Sequence, residues 1–236
     1  MDSYVLIRKP FWLSLTQRKN SKDKQSLRKN VTIKLKMTNK IIGISGVAGS
    51  GKDTFYSLLS EVLPCKQFSL ADELKREVNQ WCKMHYRIDS VACSREEKEI
   101  IRPFLVAHGS AKRKLSGGRH WIDKLNDKII KDKFRGFKVI TDIRYDDYES
   151  DEVSWIKDEL GGVLVHVSQY SLAPLSPYEP GSLIKEFKKP ANPEEARNDP
   201  KVKEKSNFQI EWEFLKSGQI DELSPHVDNF IKWLIK

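Results

Sequence analysis

Residues 41–54, Ile-Ile-Gly-Ile-Ser-Gly-Val-Ala-Gly-Ser-Gly-Lys-Asp-Thr, join an apolar strand to a glycine-rich loop and the start of a helix. No other stretch restricts the possible folds so tightly. Gly46, Gly51 and Lys52 match the first seven positions of the pattern Gly-x-x-x-x-Gly-Lys-[Ser/Thr]. Gly46, Gly49 and Gly51, with Ala48 and Ser50 between them, allow a tight turn whose backbone N–H groups can approach phosphate oxygens closely. Lys52 would reach the terminal phosphates, and the helix that begins there points its positive dipole end at them. The eighth position is Asp53, where the pattern has Ser or Thr, and Thr54 follows it. Asp53 or Thr54 could therefore take over the usual hydroxyl contact to magnesium. The loop predicts binding of a nucleoside triphosphate together with Mg2+.

A chain of 236 residues is long enough for a full α/β domain with a buried core. No apolar run approaches the roughly 20 residues that cross a bilayer, so no membrane partner is expected. The three cysteines, Cys65, Cys82 and Cys93, form no paired-ligand spacing, which speaks against a disulfide framework or zinc site and for a reducing, cytoplasmic compartment. The net charge of +9 raises the question of nucleic acid until it is located. Residues 1–38 carry ten basic and two acidic residues, a net +8, so the remainder is almost neutral. Nucleic-acid contact is expected only through that basic extension, which reads as disordered. Met37 stands four residues before the first strand and is an alternative start, which leaves residues 39–236 as the working domain.

Helical patterns are expected over 52–62, 71–84, 94–108, 119–132, 148–160 and 219–235, with strands at 66–70, 138–141, 162–167 and from Asn207. This alternation predicts a parallel sheet with helices on both faces, a three-layer α/β fold. The stretch 170–206 holds six of the ten prolines and reads as a long lid loop.

Ligands of parallel α/β sheets bind beyond the carboxyl ends of the strands. The second strand ends near Asp72 and the third on Asp142, with Arg144 two residues on. Asp142 is a candidate magnesium ligand or a helix cap. Arg144 either neutralises a transferring phosphoryl group or pairs with Asp146 or Asp147. Lys75, Arg102, Arg113 and Arg119 are candidates for a second anionic substrate, because guanidinium groups suit phosphate, and Asp72 and Trp121 are candidates for the same substrate site.

Five segments carry a resemblance: 44–54, Phe-Ser-Leu-Ala-Asp-Glu-Leu-Lys (68–75), Ile-Arg-Pro-Phe-Leu-Val-Ala-His-Gly (101–109), Arg-His-Trp-Ile (119–122) and Val-Ile-Thr-Asp-Ile-Arg (139–144). Over about residues 40–168 the chain resembles the deoxynucleoside monophosphate kinases of bacteriophages and large DNA viruses, P-loop kinases in which Gly-Lys-Asp-Thr is the usual loop ending. The resemblance implies transfer of the γ-phosphoryl group of ATP to a deoxynucleoside monophosphate, in the cytoplasm of a host cell if the chain is viral, by a protein that could be a homodimer. It implies that Gly49 to Thr54 hold ATP, that Lys52 stabilises the moving group, that Asp142 serves metal or acceptor, and that Arg144, Lys75, Arg102 and Arg119 meet the monophosphate. One departure is Gln169, where a basic residue commonly follows the fourth strand. Rival expectations are a kinase of another small phosphorylated acceptor, resembling dephospho-coenzyme A kinase or phosphomevalonate kinase, and a nucleotide-dependent nucleic-acid-binding protein.

Overall fold

The computed structural model describes residues 41–174, 183–214 and 220–236. The basic extension, with its expected disorder and its alternative start at Met37, lies outside the described residues. In chain order the elements are β1 (Ile41–Ser45), α1 (Lys52–Val62), β2 (Cys65–Phe68), α2 (Leu70–Tyr86), α3 (Arg95–Leu115), α4 (Arg119–Lys131) and β3 (Phe137–Ile143). Then come a short helix, α5 (Glu152–Ser154), that continues as a π-turn (Trp155–Glu159), β4 (Val163–Pro174), β5 (Leu183–Phe187), α6 (Pro193–Lys205), β6 (Phe208–Glu213), a 3-10 turn (Ile220–Leu223) and α7 (Ser224–Leu234).

β1 lies between β3 and β4, parallel to both; β2 lies parallel outside β3, and β6 parallel on the far side of β4. The mostly parallel, helix-flanked sheet expected from the alternation is present. Alternation of side chains along the strands feeds two cores. On one face Ile42, Ile44, Val139, Val165, Val167 and Ile210 pack under α1 and α7 through Phe55, Leu59, Phe230 and Ile231. On the other, Ile140, Ile143 and Leu164 meet α4, the Trp155–Ile156 turn and Val202 of α6. A third, smaller cluster of Val78, Cys82, Ile88, Ile101 and Leu105 joins α2 to α3.

The stretch read as a lid loop is ordered in its described parts, which corrects that expectation. β4 continues to Pro174 and pairs antiparallel with β5, from Tyr170–Phe187 to Pro174–Leu183. Because Tyr170 also pairs with Glu213 of β6, β5 takes the side of β4 that β1 vacates when it turns into the glycine loop. Residues 193–205 then form α6. Asn192 caps it by accepting from the Glu195 N–H, and Pro193 occupies the first turn, where a missing N–H costs nothing. Pro200 removes one interior N–H, yet the helix continues to Lys205 with Asn198 and Val202 buried. Among the described residues, no helix is long and apolar enough to cross a membrane.

Candidate functional site

The glycine loop is shaped by its neighbours. Gly46 has φ +131°, and a Cβ there would be driven into the carbonyl of Val167 on β4. Gly51 has φ +93°, and a Cβ would stand 2.6 Å from the Trp212 ring. The Trp212 indole N–H also donates to the Ser50 carbonyl at 2.9 Å, so β6 holds the loop from below. The Ser50 hydroxyl is buried and has no hydrogen-bond partner among the described residues. α1 starts at Lys52, directly after Gly51, with Asp53 exposed and Thr54 half-buried in its first turn. Its leading N–H groups and the loop form a cradle for an anion.

Lys52 is 8% exposed, and its ammonium donates to the carbonyls of Gly46 at 2.6 Å and Val47 at 2.8 Å. Burial, and then the charge of Arg144, lower its pKa to about 8, while Glu195, Asp53 and Asp142 pull it back up. Lys52, Asp53, Asp142 and Arg144 therefore share one site, as the strand ends imply. Asp142 has other work within it. Its Oδ1 accepts from the Leu70 N–H at 2.9 Å, and its Oδ2 from the Ala71 N–H at 2.7 Å and the Ser69 hydroxyl at 2.8 Å. The carboxylate thus ties the end of β3 to the start of α2, and Asp53 and Thr54 are left as the freer oxygen donors at the loop. The loop's glycines, N–H groups and lysine fit a polyphosphate, and those two oxygen donors fit the hard cation that accompanies it.

Beside this cradle lies a group of cations. The Lys98 ammonium, half-buried on α3, is held below its ordinary pKa by burial first, then by Lys75, Arg102 and Arg144. Lys75 pairs with Asp72 at 3.2 Å, and Arg102 with Glu99 on its own helix. Arg144 is partly exposed and lies 3.5 Å from Glu195. Lys75, Arg102 and Arg144 are thus brought together, with Arg144 common to both halves of the site.

Three candidate substrate residues are corrected. Arg113 is buried, forks onto Asp151 and Glu152, and stacks 3.8 Å from the Tyr145 ring centroid, so its donors are consumed inside the protein. Arg119 pairs with Asp123 and Glu159 and, unlike Arg102, is not among the charges that act on Lys98. Trp121 is a core residue, 4% exposed, whose indole donates to the Gly109 carbonyl. Arg113 acts on the site at one remove: Glu152 beneath it accepts from the Arg144 N–H at 2.6 Å and the Tyr145 N–H at 3.1 Å.

Three residues join the site that the sequence did not single out. Lys98 is one; Glu96, Glu97 and Glu99 around it make it look like part of a solvated helix face. Lys188 is the second. It follows β5, its N–H donates to the Gln169 carbonyl at 2.8 Å, and its ammonium lies 2.6 Å from where a Gly49 Cβ would stand. A basic group therefore does stand beside Gln169, supplied from across the hairpin. The third is Glu195 of α6, buried, with its carboxylate accepting from the Ala48 N–H at 2.8 Å. No protein-family model matches the sequence, and a search of curated proteins finds no match.

Proposed function

We propose that this chain is a phosphotransferase that moves the γ-phosphoryl group of ATP onto a deoxynucleoside monophosphate. The observation that carries the reading is the adjacency of two anion sites of different build. One is the glycine loop with Lys52, made for a polyphosphate. The other is the Lys75, Lys98, Arg102 and Arg144 group, which suits a phosphate monoester. Arg144 belongs to both, where negative charge would accumulate during transfer.

In this reading the loop N–H groups and the first turn of α1 hold the donor's phosphates. Lys52 exchanges its two carbonyl acceptors for phosphate oxygens, and Lys188 covers the loop at Gly49. Lys75, Lys98 and Arg102 orient the acceptor phosphate, and Arg144 neutralises the group in transit. Asp53 and Thr54 would hold Mg2+, which when bound screens the donor's charge. An acceptor that is already an anion needs no general base, so alignment and charge neutralisation are the protein's whole contribution.

The test is ADP release from ATP and Mg2+, with dAMP, dCMP, dGMP, dTMP and AMP each offered as acceptor. Stimulation by one or more deoxynucleotides is expected, and Lys52→Ala should lower turnover on the order of 10³-fold. No stimulation by any acceptor would discard nucleotide kinase activity and move the search to other phosphorylated acceptors. A loss below tenfold in the Lys52 variant would remove that residue from its assigned role.

A further inference from the structure

Glu195 is an unusual residue to find against a phosphate cradle. It is 7% exposed, and its two carboxylate oxygens accept from the Ala48 N–H at 2.8 Å and from the Ala191 N–H at 2.7 Å. The Arg144 guanidinium lies 3.5 Å away, and the Glu195 charge is felt by both Lys52 and Arg102. A loop N–H and an arginine would receive a phosphate oxygen, and here a carboxylate from α6 uses both, with its charge also acting on Lys52.

We propose that Glu195 is a displaceable occupant of the glycine loop's anion position, so that a polyphosphate binds by driving the first turn of α6 off the loop. This rests on the reading of that loop as a phosphate cradle. A carboxylate and a phosphate compete for the same donors, and holding both would place like charges together in a buried site. The first turn of α6 is built to let go. Besides Glu195 it is held by polar contacts alone: the Asn192 cap, the Ser110 and Tyr145 hydroxyls on the half-buried Glu194 and, a turn further on, the buried Asn198 and the exposed Arg197 on Asp147. Of the buried side chains of α6, Val202 alone is apolar, and it lies two turns further on. Lys188 precedes Glu195 by seven residues along an irregular strap. Release of Glu195 is therefore felt at the residue that covers Gly49, and one negative charge leaves the loop as the ligand's charge arrives.

The test uses the full chain and inorganic tripolyphosphate with Mg2+, a probe without base or sugar. Calorimetry on wild type, Glu195→Gln and Lys52→Ala should show Glu195→Gln binding at least tenfold tighter than wild type, and Lys52→Ala binding weakest. Residue-resolved amide exchange on the wild type needs no variant: the Ala191 N–H should lose protection on binding as its acceptor departs, while Ala48 stays protected. Binding that depends on Lys52 yet is unchanged or weaker in Glu195→Gln, or a protected Ala191 amide in the complex, would overturn the displacement and leave the cradle standing. Tripolyphosphate binding by neither wild type nor Glu195→Gln would overturn the cradle reading and the displacement with it.

Discussion

At the scale of single residues, Lys52 carries the most information and makes a prediction of its own. Its ordinary pKa of 10.5 falls to about 8, chiefly through burial. A polyphosphate stabilises the charged form, so binding above pH 8 must return a proton to the side chain. Affinity for tripolyphosphate should therefore fall as pH rises from about 8 toward 10.5, by up to tenfold per pH unit for one linked proton. Calorimetry at pH 8.5, in buffers of differing ionisation enthalpy, should register proton uptake that is absent in Lys52→Ala. Folding responds with the opposite sign. The unfolded chain binds the extra proton between pH 8 and 10.5, so the penalty of burying charged Lys52, fully present below pH 8, lifts through that window. Lys52 and the loop glycines were legible because their chemistry is written in contiguous spacing. Arg113, Arg119 and Trp121 misled because an arginine or tryptophan does not disclose its partner. Lys98, Lys188 and Glu195 escaped notice because they meet the loop only after α3, β5 and α6 have docked.

Among the elements, α6 shows why periodicity can fail. Its buried positions are Glu195, Asn198 and Val202, two of them polar, so the helix has almost no apolar stripe to find, and Pro200 argues against it. β3, by contrast, was legible as an apolar run ending on Asp142, although the cap that Asp142 gives α2 was only one of two expectations. The end of β3 is braced from α3 by the buried Arg113–Asp151–Glu152 group, and burial raises the Glu152 pKa to about 7 in spite of Arg113. Arg113→Leu leaves two carboxylates facing each other in the core and should cost about 3–5 kcal/mol, the usual penalty for breaking a buried pair from one side. The sign of its pH dependence follows from Glu152. Its raised pKa means the folded state binds more protons between about 4.5 and 7, so stability falls as pH rises through that window, and without Arg113 the window extends upward. Thermal melts should therefore show a larger loss at pH 8 than at pH 5. An equal loss at both would mean that Arg113 works through packing alone.

Across the whole molecule, the layered architecture was readable from the alternation of strands and helices, but the order of strands was not. Which strand lies beside which is decided by long-range pairing that no local window contains. The sequence itself places +8 of the +9 net charge in residues 1–38, so the remainder is almost neutral. The hairpin arm was the least visible feature, because strand β4 passes from the buried Leu164–Val167 to the exposed Leu172 without any break that the sequence marks. That continuity has a mechanical consequence. A flap on a hinge swings as a unit, whereas an arm that prolongs a central strand behaves as a cantilever clamped between β1 and β6. It yields first at the Pro174–Leu183 end and unzips inward. Amide exchange along β4 and β5 should accordingly be graded, fastest in the Ala173–Ile184 rung and slowest at the Lys188 N–H, which donates to the Gln169 carbonyl, in place of one rate for the whole arm. Any ligand that clamps Lys188 against the glycine loop would then shorten the working length of the cantilever and slow its outer rungs, without touching a residue of those rungs.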